Sequence, residues 1–212
     1  MVATLFSLPL GMLIAYALAR GRFVGKSLLD ALVHLPLVAP PVVTGYGLLL
    51  LFGMRGPVGG WLHEHFGLVL AFRWTGAALA SAVMGLPLMV RPMRLSLEAV
   101  DRRLERAATT LGAPPWWRLV TVTLPLAFPG ILAGVVLSFA RSFGEFGATI
   151  TFVGSIEGET RTLPLQIYNL LQVPGGETAA LRLCLLSIAI AFVALMASEW
   201  LARRASAGRQ GL

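Results

Sequence analysis

Leu104–Pro125, LERAATTLGAPPWWRLVTVTLP, is a polar, cation-rich stretch between two apolar blocks that are each long enough to cross a bilayer. Leu104, Ala107, Ala108 and Leu111 recur at i, i+3, i+4 and i+7, the spacing of one helical face. Glu98 and Arg102 stand at i,i+4 on the polar side and can pair. Gly112 is a natural C-terminal stop for that helix. Pro114-Pro115 forbid its continuation and can open a second, short helix carrying Trp116, Trp117 and Leu119. Two adjacent tryptophans on a short exposed helix fit an anchor for another protein's groove, or a belt at lipid-headgroup level.

Composition places the stretch in a membrane protein. Of 212 residues, 57% are hydrophobic and 13% charged, against roughly 25% charged in a soluble domain. The apolar residues fall in long blocks rather than alternating. The net charge of +7 could suggest a nucleic-acid partner, but the cations cluster in short segments flanking the blocks, so no nucleic-acid partner is expected. The single cysteine, Cys184, excludes an internal disulfide. His63-Glu64-His65 lacks the H-E-x-x-H spacing of a zinc helix, and no metal site is expected.

A span needs about 20 apolar residues. Five blocks qualify, at about residues 2–19, 34–54, 70–90, 129–153 and 183–202. The sequence therefore predicts an all-α, polytopic helical membrane protein. It is a single transmembrane domain over residues 1–212, with an interhelical loop at about 91–126. Arg20, Arg22 and Lys26 follow the first block, and Arg91, Arg94, Arg102, Arg103, Arg106 and Arg118 follow the third. Arg203, Arg204 and Arg209 follow the fifth, whereas the other two connections hold only Arg55 and Arg73, and Arg161 and Arg182. The positive-inside rule then predicts the N-terminus outside, and the 91–126 loop and C-terminus in the cytoplasm. The first block begins without a basic lead and lacks a cleavage site, so it is not read as a signal peptide. The expectation is a start that lies upstream, or a shortened chain.

Within the blocks, three features stand out. Pro36, Pro40 and Pro41, followed by Thr44, Gly45 and Gly47, free carbonyls that neighbours or water must satisfy. A broken helix lining a path and a simple packing kink both fit. Arg141 and Glu145, one turn apart in the fourth block, neutralise one another, as a structural ion pair or as the border of a path. Gly130, Gly134 and Ser138 form one row of small residues, and Ala140, Gly144 and Ala148 another, suited to close helix approach within the chain or across a dimer axis. Leu163–Gln172 is apolar but too short to span and reads as a re-entrant or interfacial helix. Gly21–Ser27, GRFVGKS, has three residues between its glycines where a P-loop needs four, and abuts a span, so it is not an ATP site.

The order Ala107-Ala108, Gly112, Val122-x-Leu124-Pro125 resembles the cytoplasmic coupling loop of bacterial ABC importer permeases, E-A-A-x-x-x-G-x(9)-I-x-L-P. Arg106 occupies the position of the motif's glutamate, with Glu105 one residue early, and Val122 replaces isoleucine. Arg141–Ile150 (RSFGEFGATI), Gly158–Pro164 (GETRTLP), Pro174–Glu177 (PGGE) and His34–Tyr46 (HLPLVAPPVVTGY) are similar to the permeases of molybdate ABC transporters, over about residues 5–204. Sulfate/thiosulfate permeases look similar around Gly144-Glu145, and tungstate is not separated from molybdate. The resemblance implies a type I importer fold that acts as a homodimer in the cytoplasmic (inner) membrane. It implies two copies of a separate ATPase subunit that uses ATP and Mg, and a periplasmic or surface-tethered binding protein that delivers the oxyanion. This chain would bind no cofactor and be no enzyme. The resemblance assigns Glu105, Ala107, Ala108, Gly112, Trp116, Trp117, Leu124 and Pro125 to ATPase coupling, and tips the tryptophans toward docking. Pro40, Pro41, Thr44, Arg141 and Glu145 are the candidates for lining or gating the path. A stand-alone secondary transporter would show internal inverted repeats and charged midplane sites. A membrane-embedded enzyme would need a clustered acid, nucleophile or metal set. The sequence shows neither pattern.

Overall fold

A computed structural model describes residues 1–207, with side chains through Ala197. Eleven helices and no strand occur among the described residues. They are α1 (Val2–Arg20), α2 (Lys26–Val38), α3 (Pro41–Phe52), α4 (Pro57–Phe66), α5 (Trp74–Ala99), α6 (Arg102–Thr110), α7 (Pro115–Arg118), α8 (Leu124–Phe143), α9 (Gly147–Val153), α10 (Leu163–Leu171) and α11 (Glu177–Ala207), with a π-helical turn, Leu119–Thr123, joining α7 to α8. Four helical stretches are long and apolar enough to span: Val2–Arg20, Trp74–Ala99, Pro115–Phe143 and Glu177–Ala197. A fifth exists if α2 and α3, bent by 119° at their junction, count as one.

The central element is α5. Met84, Pro87, Met89, Val90, Met93 and Leu97 along it are buried. α1 lies against it through Ala3, Ser7, Gly11, Ala15 and Leu18, nearly one residue per turn and mostly small. At Gly11 a Cβ would collide with the sulfur of Met89. The Gly130, Gly134 and Ser138 row turns inward, toward α5. A Cβ on Gly130 would meet Ser96 and the Pro92 carbonyl, and one on Gly134 would meet the Met89 carbonyl. That row therefore serves close packing within the chain. One apolar cluster joins α1, α2, α5 and α8 around Leu18, Val33, Met93 and Leu97. A second joins α3, α5 and α9 around Leu48, Met84, Phe152 and Val153.

The expected block ends require correction. The 34–54 block is two helices, because Ala39-Pro40 is extended and Pro41 opens a new helix at its first position. The 129–153 block breaks after Phe143, so Ala140, Gly144 and Ala148 share no helical face. The fourth span starts earlier than expected, at Pro115, well inside the 91–126 loop. Glu98 does not pair with Arg102, because α5 ends at Ala99 and Asp101 restarts the chain as N-cap of α6. Glu98 instead accepts from Arg94 at 2.9 Å, and Arg94 reaches Asp30 of α2 at 3.0 Å. The alternation of ends is as expected. Arg20 meets Glu105 and Val100 at one end of the bundle, and Arg73 meets Glu159 at the other. The side chains of Arg203 and Arg204 are not described, and Arg209 lies outside the described residues.

Candidate coupling site and charged elbow

The coupling candidate is built from two short helices and a turn. Asp101 accepts the Arg103 amide at 2.8 Å and starts α6, a cap worth about 1 kcal/mol. At the other end the Ala113 amide reaches the Ala108 carbonyl and the Gly112 amide reaches the Thr109 carbonyl, each at 3.0 Å. This paired arrangement closes the helix through a left-handed residue, and Gly112 supplies it at φ +82°. Pro115 then opens α7, and Arg118 donates back to Thr109 Oγ1 at 2.6 Å, fastening α7 to α6.

The turn leaves an open groove of about 610 Å³, lined by Ala108, Leu111, Ala113, Trp116, Trp117 and Thr121. Leu111 is 86% exposed, Trp116 63% and Trp117 48%. The two indoles meet edge to face with centroids 5.2 Å apart. Ala107 is exposed and Ala108 half-buried on the same short helix. Leu124 and Pro125 are not brought to this groove. They face sideways, lining a separate apolar groove with Leu8, Pro9 and Met12 of α1.

Glu105 is turned inward. Its Oε1 accepts from Arg20 Nη2 at 3.0 Å and from Thr123 Oγ1 at 2.8 Å. Arg20 also reaches the Val100 carbonyl at 3.4 Å. Thr123, in the π-helical turn, is buried. Sequence reasoning placed Glu105 among the ATPase-coupling residues and missed Arg20 and Thr123 as its partners. Position 20 is 85 residues away from 105 in sequence, and no local periodicity connects the two.

The path candidates converge on two helix breaks. Glu145 lies in the non-helical link between α8 and α9 and is 2% exposed. Its Oε1 accepts the Ala148 amide at 2.7 Å, satisfying a free donor at the start of α9. Its Oε2 sits 2.5 Å from Arg141 Nη1. The pair forms as expected, but across a helix end rather than along one face. The other break packs against it: a Cβ on Gly147 would strike Pro41, and one on Gly45 would strike the Ala148 backbone. Pro40 and Pro41 are exposed and Thr44 is partly so. Ser138, fully buried one turn before Arg141, has a hydroxyl oxygen with no hydrogen-bond partner.

Residues 7–207 match the family described as the binding-protein-dependent transport system inner membrane component. The chain is similar to the molybdenum transport system permease protein ModB of Escherichia coli (strain K12), with 59% identity over 98% of this chain and 92% of that one. The ModB of Haemophilus influenzae (strain ATCC 51907 / DSM 11121 / KW20 / Rd) is 55% identical over 94% of this chain and 87% of its own. At lower identity, 40%, the sulfate transport system permease protein CysW of Escherichia coli (strain K12) aligns over 92% of this chain and 68% of its own. Among solved structures, a bacterial alginate ABC transporter in complex with a periplasmic protein carrying an alginate pentasaccharide superposes with a TM-score of 0.72 at 18% identity. That superposition covers 95% of this chain and 74% of that chain, a likeness of fold.

Proposed function

The chain belongs to the family of binding-protein-dependent transport system inner membrane components, and from that premise we propose that it is the membrane-spanning permease of an ATP-driven importer of molybdate. The observation that carries the importer reading is the exposed apolar groove between α6 and α7, at the cation-rich end of a chain with four or five spans. A groove with two tryptophans at its edge suits an ATPase partner that holds it from the cytoplasmic side. Molybdate rests on the permeases of highest identity reported above, and tungstate, a tetrahedral dianion of nearly equal size, would share the path.

In this reading two copies of the chain flank the path, and two ATPase subunits beneath them use ATP and Mg. A periplasmic or surface-tethered binding protein delivers the anion. The chain itself holds no catalytic set and binds no cofactor. The basic end of the bundle, with Arg20, Arg94, Arg102, Arg103, Arg106 and Arg118, faces the cytoplasm. The N-terminus then lies outside and the C-terminus inside. The facing breaks at Ala39–Pro41 and Gly144–Phe146, with Arg141 and Glu145 between spans, border the path.

The test is uptake of labelled molybdate by cells that lack their own molybdate importer and are supplied with this chain, its ATPase and its binding protein. Uptake that requires all three, competes with tungstate and resists an excess of sulfate is expected. Sulfate competing as well as tungstate would replace molybdate by sulfate as the substrate. Uptake without the ATPase would overturn the importer reading.

A further inference from the structure

We propose that Glu105 is a positioning residue for transport: its carboxylate, held by Arg20 and Thr123, carries the movement of the α6–α7 turn into the first and third spans. The proposal rests on the importer reading and adds to it the route by which motion leaves the coupling turn. α7 runs through the π-helical turn into α8 without a break, so α8 receives any displacement of α7 directly. α1 and α5 have no such continuity with α7. α5 ends at Ala99, before α6 begins at Arg102. α1 ends at Arg20, far from the turn in sequence.

One carboxylate oxygen bridges that gap. Glu105 Oε1 takes Thr123 Oγ1, at the root of α8, and Arg20 Nη2, at the end of α1. The same Arg20 nitrogen reaches the carbonyl of Val100, at the end of α5. Arg20 and Glu105 are largely buried and Thr123 almost wholly so, which sets the contact apart from an exposed ion pair of little consequence. The coupling turn itself is stiff, because Arg118 fastens α7 to α6 and Gly112 closes the α6 end. A stiff turn attached to three spans at one point moves them together. Freed from that point, it reaches α1 and α5 only through their packing against α8.

The experiment uses the full complex reconstituted in vesicles, and reads molybdate transported per ATP hydrolysed for wild type, Glu105→Gln, Arg20→Gln and Thr123→Val. Co-purification of the ATPase and thermal stability are measured alongside. The expected result is a fall of about tenfold in molybdate per ATP for Glu105→Gln and Arg20→Gln, within the usual range of coupling between sites. A smaller fall is expected for Thr123→Val, whose change conserves shape. A ratio equal to wild type in the assembled Glu105→Gln and Arg20→Gln complexes overturns the proposal. Transport and ATP hydrolysis falling in equal proportion also overturns it, since that is the signature of lost fold or lost docking. If a glutamine variant fails to assemble, the ratio in Thr123→Val decides. A wild-type complex that moves no molybdate, or assembles with no ATPase, sinks the importer reading instead.

Discussion

Glu145 shows how a buried charge is made tolerable at the end of a span. A carboxylate in a dry site needs its oxygens occupied, and here one takes a backbone amide of α9 and the other a guanidinium of α8. The residue is at once half of an ion pair and the local cap of a helix. Arg141→Met should therefore cost about 3–5 kcal/mol, because it strands a buried charge. Adding Glu145→Gln should recover about 1–3 kcal/mol, since the stranded charge is gone and an amide oxygen still accepts from Ala148. Denaturant unfolding of the two variants and their combination measures this. Strictly additive losses would mean that the residues do not share a site. A stable but transport-dead double variant places the pair on the path, and a stable, active one makes it structural.

At the scale of elements, α7 is exposed where a soluble helix of its composition would be covered. Its tryptophans keep about half or more of their surface exposed, so Trp116→Ala and Trp117→Ala should cost the chain less stability than the about 3–5 kcal/mol of truncating a core aromatic. Each should weaken ATPase association on the order of thirtyfold, the cost of truncating an aromatic anchor. Thermal melts and ATPase co-purification separate the two effects. Normal association with altered lipid partitioning would restore the belt reading. Gly112→Pro tests the turn that aims α7. Proline fixes φ near −65° where the turn needs +82°, and it removes the amide that reaches Thr109. The spans should insert normally and the ATPase should be lost. Wild-type co-purification and uptake would refute this.

At the scale of the whole molecule, the surface is that of a chain meant for lipid or for other subunits. Leu185, Ile188, Phe192 and Val193 of α11 are each at least 59% exposed, and little of its Glu177–Ala197 stretch is buried. The orientation can be checked because Cys184 is the only cysteine. In a Cys184→Ser background, Arg106→Cys should react with an impermeant thiol reagent only from the cytoplasmic side. Glu157→Cys, at a position 84% exposed at the opposite end, should react only from outside. The reverse pattern would overturn the orientation, and with it the side from which an ATPase reaches α7.

The sequence by itself determined the class of molecule, the approximate spans, and the helix–Gly–Pro–helix turn at residues 102–118. These depend on local quantities: apolar run length, 3.6-residue spacing, the torsional demands of Gly112 and Pro115, and the bias of cations to one set of loops. The elbow pair was legible too, since Arg141 and Glu145 are four residues apart. What only the tertiary structure decided depends on contacts between distant positions. Proline content marked the second span as interrupted but did not give the 119° bend, because the angle is set by packing of α3 on α9. The small-residue row of α8 could have faced a second copy, and its partner became α5 only when the Met89 and Pro92 carbonyls met Gly134 and Gly130. Glu105 read as one of the coupling residues because it stands beside the Ala107-Ala108 motif. It turns inward because Arg20, at the end of another helix, comes within 3.0 Å of it. A charge 85 residues distant leaves no periodic trace in the chain, and only folding brings it near.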